Sequence, residues 1–195
     1  VGKNIYSWTN GSFDPYLGLK NVAQMRKEAI SRGSSTVNTI EAVGRFINAY
    51  YYYNLANMFG DVPMADALQG AANAMPSYTP QEQIFQFILN ELDTANTDLA
   101  SLISSNDNSL SASQDIYYGG DLTKWQKLVN SFKLRVLIDL SSKASDAVLN
   151  VPTQFADIVS DPSKYPIFTS QADDLKFKYN PVGDNIYSSY PLNPS

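Results

Sequence analysis

Apolar positions recur along this chain at helical spacing, and polar, Gly- or Pro-rich stretches interrupt them. The first periodic segment opens at Asp14-Pro15, with an acidic cap and a proline at the first helical position. It predicts a helix over about 15–32, closed by Gly33 and the serines that follow. A second helix is expected over about 38–59. At 100° per residue, Ile40, Val43, Ile47, Tyr51, Leu55 and Met58 fall on one face, with Tyr51 at its centre. Phe46, Tyr50, Tyr52, Tyr53 and Phe59 cover much of the remaining circumference. A helix apolar on all sides is packed on more than one side, so most of its tyrosines are expected to fill space between helices, with hydroxyls reaching polar partners.

Gly60 stops this helix and Pro63 keeps it from resuming. A long irregular connection is expected over 61–78. Thr79-Pro80-Gln81-Glu82 then reads as a capping box opening a third helix, whose stripe is Ile84, Ile88, Leu92, Ala95, Leu99 and Leu102. Residues 104–120 form a polar loop. Asp121 starts a fourth helix, with Trp125, Leu128, Val129, Phe132 and Val136 on one face. Short helical pieces are expected near 145–150 and 153–160, and beyond 161–166 the pattern is loop-like with at most short strands. These elements give an all-α domain of antiparallel helices with long irregular loops. The second and third helices resemble a tetratricopeptide-type pair, although the spacing is too irregular for repeat periodicity to define one.

At 195 residues and 44% hydrophobic, the chain is large enough for one domain with a core, here taken as 1–195. A net charge of −5 and the lack of a clustered basic run argue against nucleic acid as a partner. The chain contains neither Cys nor His, which removes disulfides, thiol nucleophiles, His-based triads and Cys/His zinc sites. No run of 18 apolar residues is present. With no initiating Met or signal peptide, and abrupt ends, the sequence reads as a fragment whose targeting information is lost.

Three blocks resemble the SusD/RagB family of outer-membrane nutrient-binding lipoproteins, in its SusD-like branch. The first is GRFINAYYYYNLANMFGDVP, carrying Arg45, Leu55 and the run from Phe59 to Pro63. The second is QIFQFILNELDTANTDL. The third is GGDLTKWQKLVNSFKLRVLIDLS, with Gly120, Asp121, Trp125, Lys127, Asn130, Ser131, Leu134 and Arg135 at family positions. YPIFTSQADDLKFKY resembles the segment that follows, and Met64 stands where an aromatic residue often follows the proline. Members of that family are about twice this length or more, so the resemblance makes the chain the N-terminal and central part of a longer protein. It implies tetratricopeptide-like helix pairs and a lipid anchor (absent from this chain) on the outer face of the outer membrane. It also implies an oligosaccharide ligand, delivered to a TonB-dependent, SusC-like transporter.

The charged motif residues have structural readings. Arg45 and Arg135 are expected to pair with carboxylates and hold the array together, Arg135 with Asp139 four residues on. Asp61 reads as a cap for exposed amides. Asp107, Asn108 and Asp115 could offer oxygens to calcium, but their spacing matches no ordered calcium loop and a solvated loop is the better reading. Gly119-Gly120 lacks the flanks of a phosphate motif. No catalytic carboxylate pair, metal set or cofactor motif is found, so no enzyme is expected. The loop aromatics carry the candidate chemistry: Tyr6 and Trp8 with Asn10 in YSWTN, Tyr78, and Tyr117-Tyr118. A flat ring can cover the C–H face of a pyranose while a neighbouring amide bonds its hydroxyls. For each ring the alternative is packing on the core. The resemblance adds that ligand contacts in the family often lie just before this first helix. Glycan capture without covalent chemistry is the leading expectation. A helical protein-interaction module, or a binder of another nutrient such as peptide, is the alternative.

Overall fold

The computed structural model describes residues 13–107 and 109–177. Five helices follow in order: α1 (Pro15–Ser31), α2 (Thr39–Phe59), α3 (Gln81–Ser104), α4 (Leu122–Asp139) and α5 (Val151–Ser160). A two-residue ribbon, β1 (Val62–Pro63) and β2 (Tyr78–Thr79), closes the connection between α2 and α3, with Val62 opposite Thr79.

Each helix packs on the next, and α2 also meets α4. The contacts fix the directions. Phe13 lies on Phe59 and Arg26 on Glu41, so α1 and α2 are antiparallel. Gln81 reaches Ala56 while Arg45 reaches Asp98, so α2 and α3 are antiparallel. Gln126 and Asn130 both meet Asn96, and Lys133 meets Asp93, so α3 and α4 are antiparallel. The result is the expected all-α array of helix pairs.

The stripes expected on α3 and α4 are buried in full. That of α2 is not the one its period marks. Phe46, Ala49, Tyr52, Tyr53, Leu55 and Ala56 are buried, whereas Ile40, Val43, Ile47 and Tyr51 are half-buried and Met58 is 49% exposed. Three neighbouring helices, rather than one, decide what α2 buries. Phe46 sits at the centre, edge-on to Phe132 (5.6 Å) and Trp125 (6.0 Å). The four tyrosines accordingly diverge. Tyr50 is exposed, and Tyr51 lies over Gly18, where an added Cβ would meet its ring at 2.3 Å. Tyr52 and Tyr53 are buried, and the Tyr53 hydroxyl donates to Asp139.

Capping departs from expectation in two places, and one expected helical piece is a turn. The Asp14 side chain makes no cap bond. Thr79 is in the ribbon instead of a capping box, and α3 is capped from across the connection by Asp61, whose Oδ1 accepts from the Gln81 amide at 2.9 Å. Residues 145–150 form a turn, with a short 3₁₀ segment earlier, at Ser141–Lys143. Asn38 and Asp121 do cap α2 and α4, accepting from Glu41 and Thr123.

Candidate functional site

The end of the array where α1 begins and α2 stops is built by the FGDVP run. Gly60 adopts φ 76°, which lets the chain turn out of α2. Phe13 stacks flat on Phe59, with centroids 4.6 Å apart and planes 6° apart. Tyr16 donates its hydroxyl to the Pro63 carbonyl at 2.6 Å, and burial pushes its phenol well above the ordinary range. Gln81 Nε2 reaches back to the Ala56 carbonyl at 2.8 Å. Further along the connection, Asp66 accepts from the Ser77 amide and hydroxyl and from Asn73 Nδ2, all at 3.1 Å. The Ser77 amide is the main reason that Asp66 titrates below the usual carboxylate range. These bonds pin the ribbon from both sides, and Tyr78 stands on it with 69% of its surface exposed.

The candidate aromatics fall at two ends of the molecule. Tyr78 precedes α3, at the end where α1 begins; Tyr6, Trp8 and Asn10 lie outside the described residues. Tyr117 and Tyr118 precede α4, beside the far end of α3. That helix has 24 residues, about 36 Å at 1.5 Å per residue. Tyr78 and Tyr117 therefore cannot line one sugar subsite.

The loop holding Tyr117 and Tyr118 turns on Asp115. Its side chain is buried and accepts from the Tyr117 amide (3.0 Å), the Tyr118 amide (3.1 Å), the Gly120 amide (2.9 Å) and the Trp125 indole (2.8 Å). Burial raises its pKa, but those donors outweigh burial and hold it below the usual range. The expected solvated loop is thus corrected at this residue: Asp115 is a buried structural hub. Asp107 closes a local turn on Ser109, and Asn108 lies outside the described residues. Tyr117 is exposed. Tyr118 is half-buried and stands edge-on to Trp125 at 5.4 Å, and its hydroxyl donates to the Asp173 carbonyl at 2.7 Å. Burial pushes that phenol up to about 12. Packing occupies the Tyr118 ring, which leaves Tyr117 as the presented one.

Gly120 shows how tightly this loop is drawn. Its φ is 86°, and a Cβ there would lie 2.2 Å from the Leu110 carbonyl oxygen. Gly120→Ala is expected to destabilise the fold by at least about 2 kcal/mol, from left-handed strain plus the clash. An unchanged thermal melt would show that the loop follows another path.

The motif arginines behave differently from each other. Arg45 meets Glu91 (2.7 Å), Glu41 (3.2 Å) and Asp98 (3.3 Å), the structural role expected of it. Arg135 does not pair with Asp139; it lies over the Tyr53 ring at 5.9 Å, and Asp139 takes the Tyr53 hydroxyl instead. Two clefts escaped the sequence reading. One, of about 500 Å³, is lined by Leu19, Arg26, Asn48, Tyr52, Met64 and Phe87 among others. The other, of about 470 Å³, is polar and includes Asn90, Asp93, Lys133, Asn150, Asp157 and Tyr165. The only local signal for the first was an asparagine, Asn48, inside the apolar second helix.

Comparison with known proteins bears on all of this. A family model of SusD-like proteins, described as starch-binding and associating with the outer membrane, matches residues 3–192. A SusD homologue of known structure from Bacteroides fragilis is 35% identical, with TM-score 0.78, covering 100% of this chain and 41% of its own. A SusD/RagB family protein from Bacteroides thetaiotaomicron is 27% identical, with TM-score 0.67, covering 86% of this chain and 33% of its own. The SusD-like protein P2 of Formosa agariphila is 30% identical over 81 residues, which are 40% of this chain and 16% of that protein. The chain thus spans well under half the length of these relatives. Among the described residues, no helix is long and apolar enough to cross a membrane.

Proposed function

The chain belongs to the SusD-like family, and from that premise we propose that it captures oligosaccharide at the outer face of an outer membrane, without covalent chemistry. The observation that carries this reading is the family match over residues 3–192, whose description is starch binding in association with the outer membrane. The geometry supports it. Tyr78 is an exposed ring on a ribbon pinned by Tyr16, Asp61 and Asp66, at the end where α1 begins. An aromatic platform on a rigid support keeps the entropy cost of stacking low. In this proposal Trp8 and Tyr78 cover sugar faces while Asn10 bonds hydroxyls, and Tyr6 supports Trp8. A lipid anchor holds the whole protein to the membrane, and a TonB-dependent, SusC-like transporter receives the glycan.

The test is an oligosaccharide array probed with the full chain, followed by titration of the strongest hit into Trp8→Ala and Tyr78→Ala. Each change is expected to cost about 1–2 kcal/mol, roughly tenfold in affinity, with the melting temperature unchanged. Full affinity in both variants would remove this end of the array from the binding surface. A fall in melting temperature would assign the affected ring to the core.

A further inference from the structure

The cleft beside the α1–α2 pair contains a polar group that the fold does not use. Tyr52 is 5% exposed, with its ring edge-on to Phe87 at 5.6 Å. Two nearby phenols spend their hydroxyls, Tyr16 on the Pro63 carbonyl and Tyr53 on Asp139. Tyr52 lines the cleft, and its hydroxyl has no hydrogen-bond partner among the described residues. The oxygen keeps some solvent access, and a ligand in the cleft could use a donor and acceptor that the fold leaves unspent. Burial pushes this phenol up to about 12, so it stays protonated and able to both donate and accept.

Asn48 stands four residues earlier on α2, one helical turn away, and lines the same cleft. Its amide is likewise without a partner among the described residues. The walls are apolar: Leu19 from α1, Met64 from the connection and Phe87 from α3. Leu68, at the rim, holds φ 65°, a left-handed conformation unusual for a branched side chain. Strain of this kind concentrates where a binding surface is being shaped. Arg26 completes the lining but is already committed to Glu41 and Glu91. With Arg45 it makes two cations facing three carboxylates, Glu41, Glu91 and Asp98. Arg26 is the one charged residue of the lining, so a carboxylate seated here would meet no uncommitted cation and its desolvation would go uncompensated.

We propose that this cleft holds one neutral hexose- or pentose-sized ring of the glycan. Tyr52 Oη and the Asn48 amide bond two of its hydroxyls, Met64 and Phe87 cover its C–H face, and uronic acids are rejected. The volume of about 500 Å³ suits a small ring with its attached water. Met64 follows Pro63, the residue paired with Tyr78, so cleft and exposed ring lie along one stretch of backbone. The inference rests on the glycan-binding reading above and adds the class of sugar and the residues that hold it.

The experiment titrates the ¹⁵N-labelled full chain with the methyl glycosides of glucose, galactose, mannose, xylose and N-acetylglucosamine, and with sodium glucuronate and galacturonate. At least one neutral glycoside is expected to shift the Asn48 side-chain amide and the backbone amides of Leu19 and Ala65 saturably. Tyr52→Phe keeps the ring and should weaken that binding about tenfold, the worth of one well-placed hydrogen bond. Its melting temperature should not fall, because no protein bond is lost. The uronates should cause no saturable shift at these amides. The inference is overturned if none of the five glycosides shifts them, if Tyr52→Phe binds as well as the parent, or if a uronate binds equally. Array binding with no response at Asn48 would sink the cleft alone, whereas a silent array would sink the glycan reading with it.

Discussion

Arg45→Met is expected to destabilise the fold by about 3 kcal/mol, the lower part of the range for a buried pair deprived of one partner. The guanidinium joins α2 to α3 through Glu91 and Asp98, and Glu41 lies one turn away on α2. Its side chain keeps 22% of its surface in water, which places the effect at the lower end. Glu41 and Glu91 retain Arg26 after the change, but Asp98 loses its ion-pair partner. Asp98 already titrates above the ordinary carboxylate range, because burial outweighs Arg45 and Glu41 adds repulsion. Removing Arg45 pushes it higher still. A carboxyl whose folded pKa exceeds its unfolded value binds its proton more tightly when folded, so it favours folding below the unfolded value and loses that advantage as pH rises through the folded one. The variant's deficit should therefore be largest near pH 7.5 and shrink towards pH 4.5. Denaturant melts of both proteins at the two pH values measure it. A pH-independent gap below about 1 kcal/mol, typical of exposed pairs, would show that the cluster is solvated.

Phe46→Ala is expected to cost about 3–5 kcal/mol, while Met58→Ala should cost less than about 0.5 kcal/mol. Phe46 is 5% exposed and joins α2 to α4 through Phe132 and Trp125. Truncation leaves a void among rings that cannot collapse around it, since each is fixed by a second contact: Phe132 by Tyr53 and Trp125 by Tyr118. Met58 lies on the face marked by the period of the sequence yet points to water. Equal melting temperatures for the two variants would contradict the placement of α2.

The contrast between these residues shows what a sequence can carry. The α3 and α4 stripes were legible because each helix has a polar back, so period and burial agree. In α2 apolar side chains surround the axis, and periodicity cannot rank them; the order is set by α1, α3 and α4 together. Tyr51 illustrates the point: it is the centre of the expected face, but it is half-buried over Gly18. Its truncation should accordingly cost less than that of Phe46. The role of Asp61 was legible in kind, as a cap, though not that the capped helix begins 20 residues on. Asp115 was misread because its burial depends on the Trp125 indole and on amides turned inward by Gly119 and Gly120. Arg45 was expected to pair with carboxylates, but its partners Glu91 and Asp98 lie 46 and 53 residues away, a separation only the packed helices reveal. Of the candidate rings, Tyr78 and Tyr117 are exposed, Tyr118 is packed on Trp125, and Tyr6 and Trp8 lie outside the described residues. What was not legible is that α3 separates Tyr78 from Tyr117, or that Tyr52 keeps an unspent hydroxyl.

Non-covalent glycan capture is tested most directly by calorimetric titration of the strongest array oligosaccharide into the full chain, with reducing ends assayed in the same cell after the run. Saturable heat with unchanged reducing ends is the expected result. No heat with any array hit, or new reducing ends that disappear on substitution of one Asp or Glu, would contradict it.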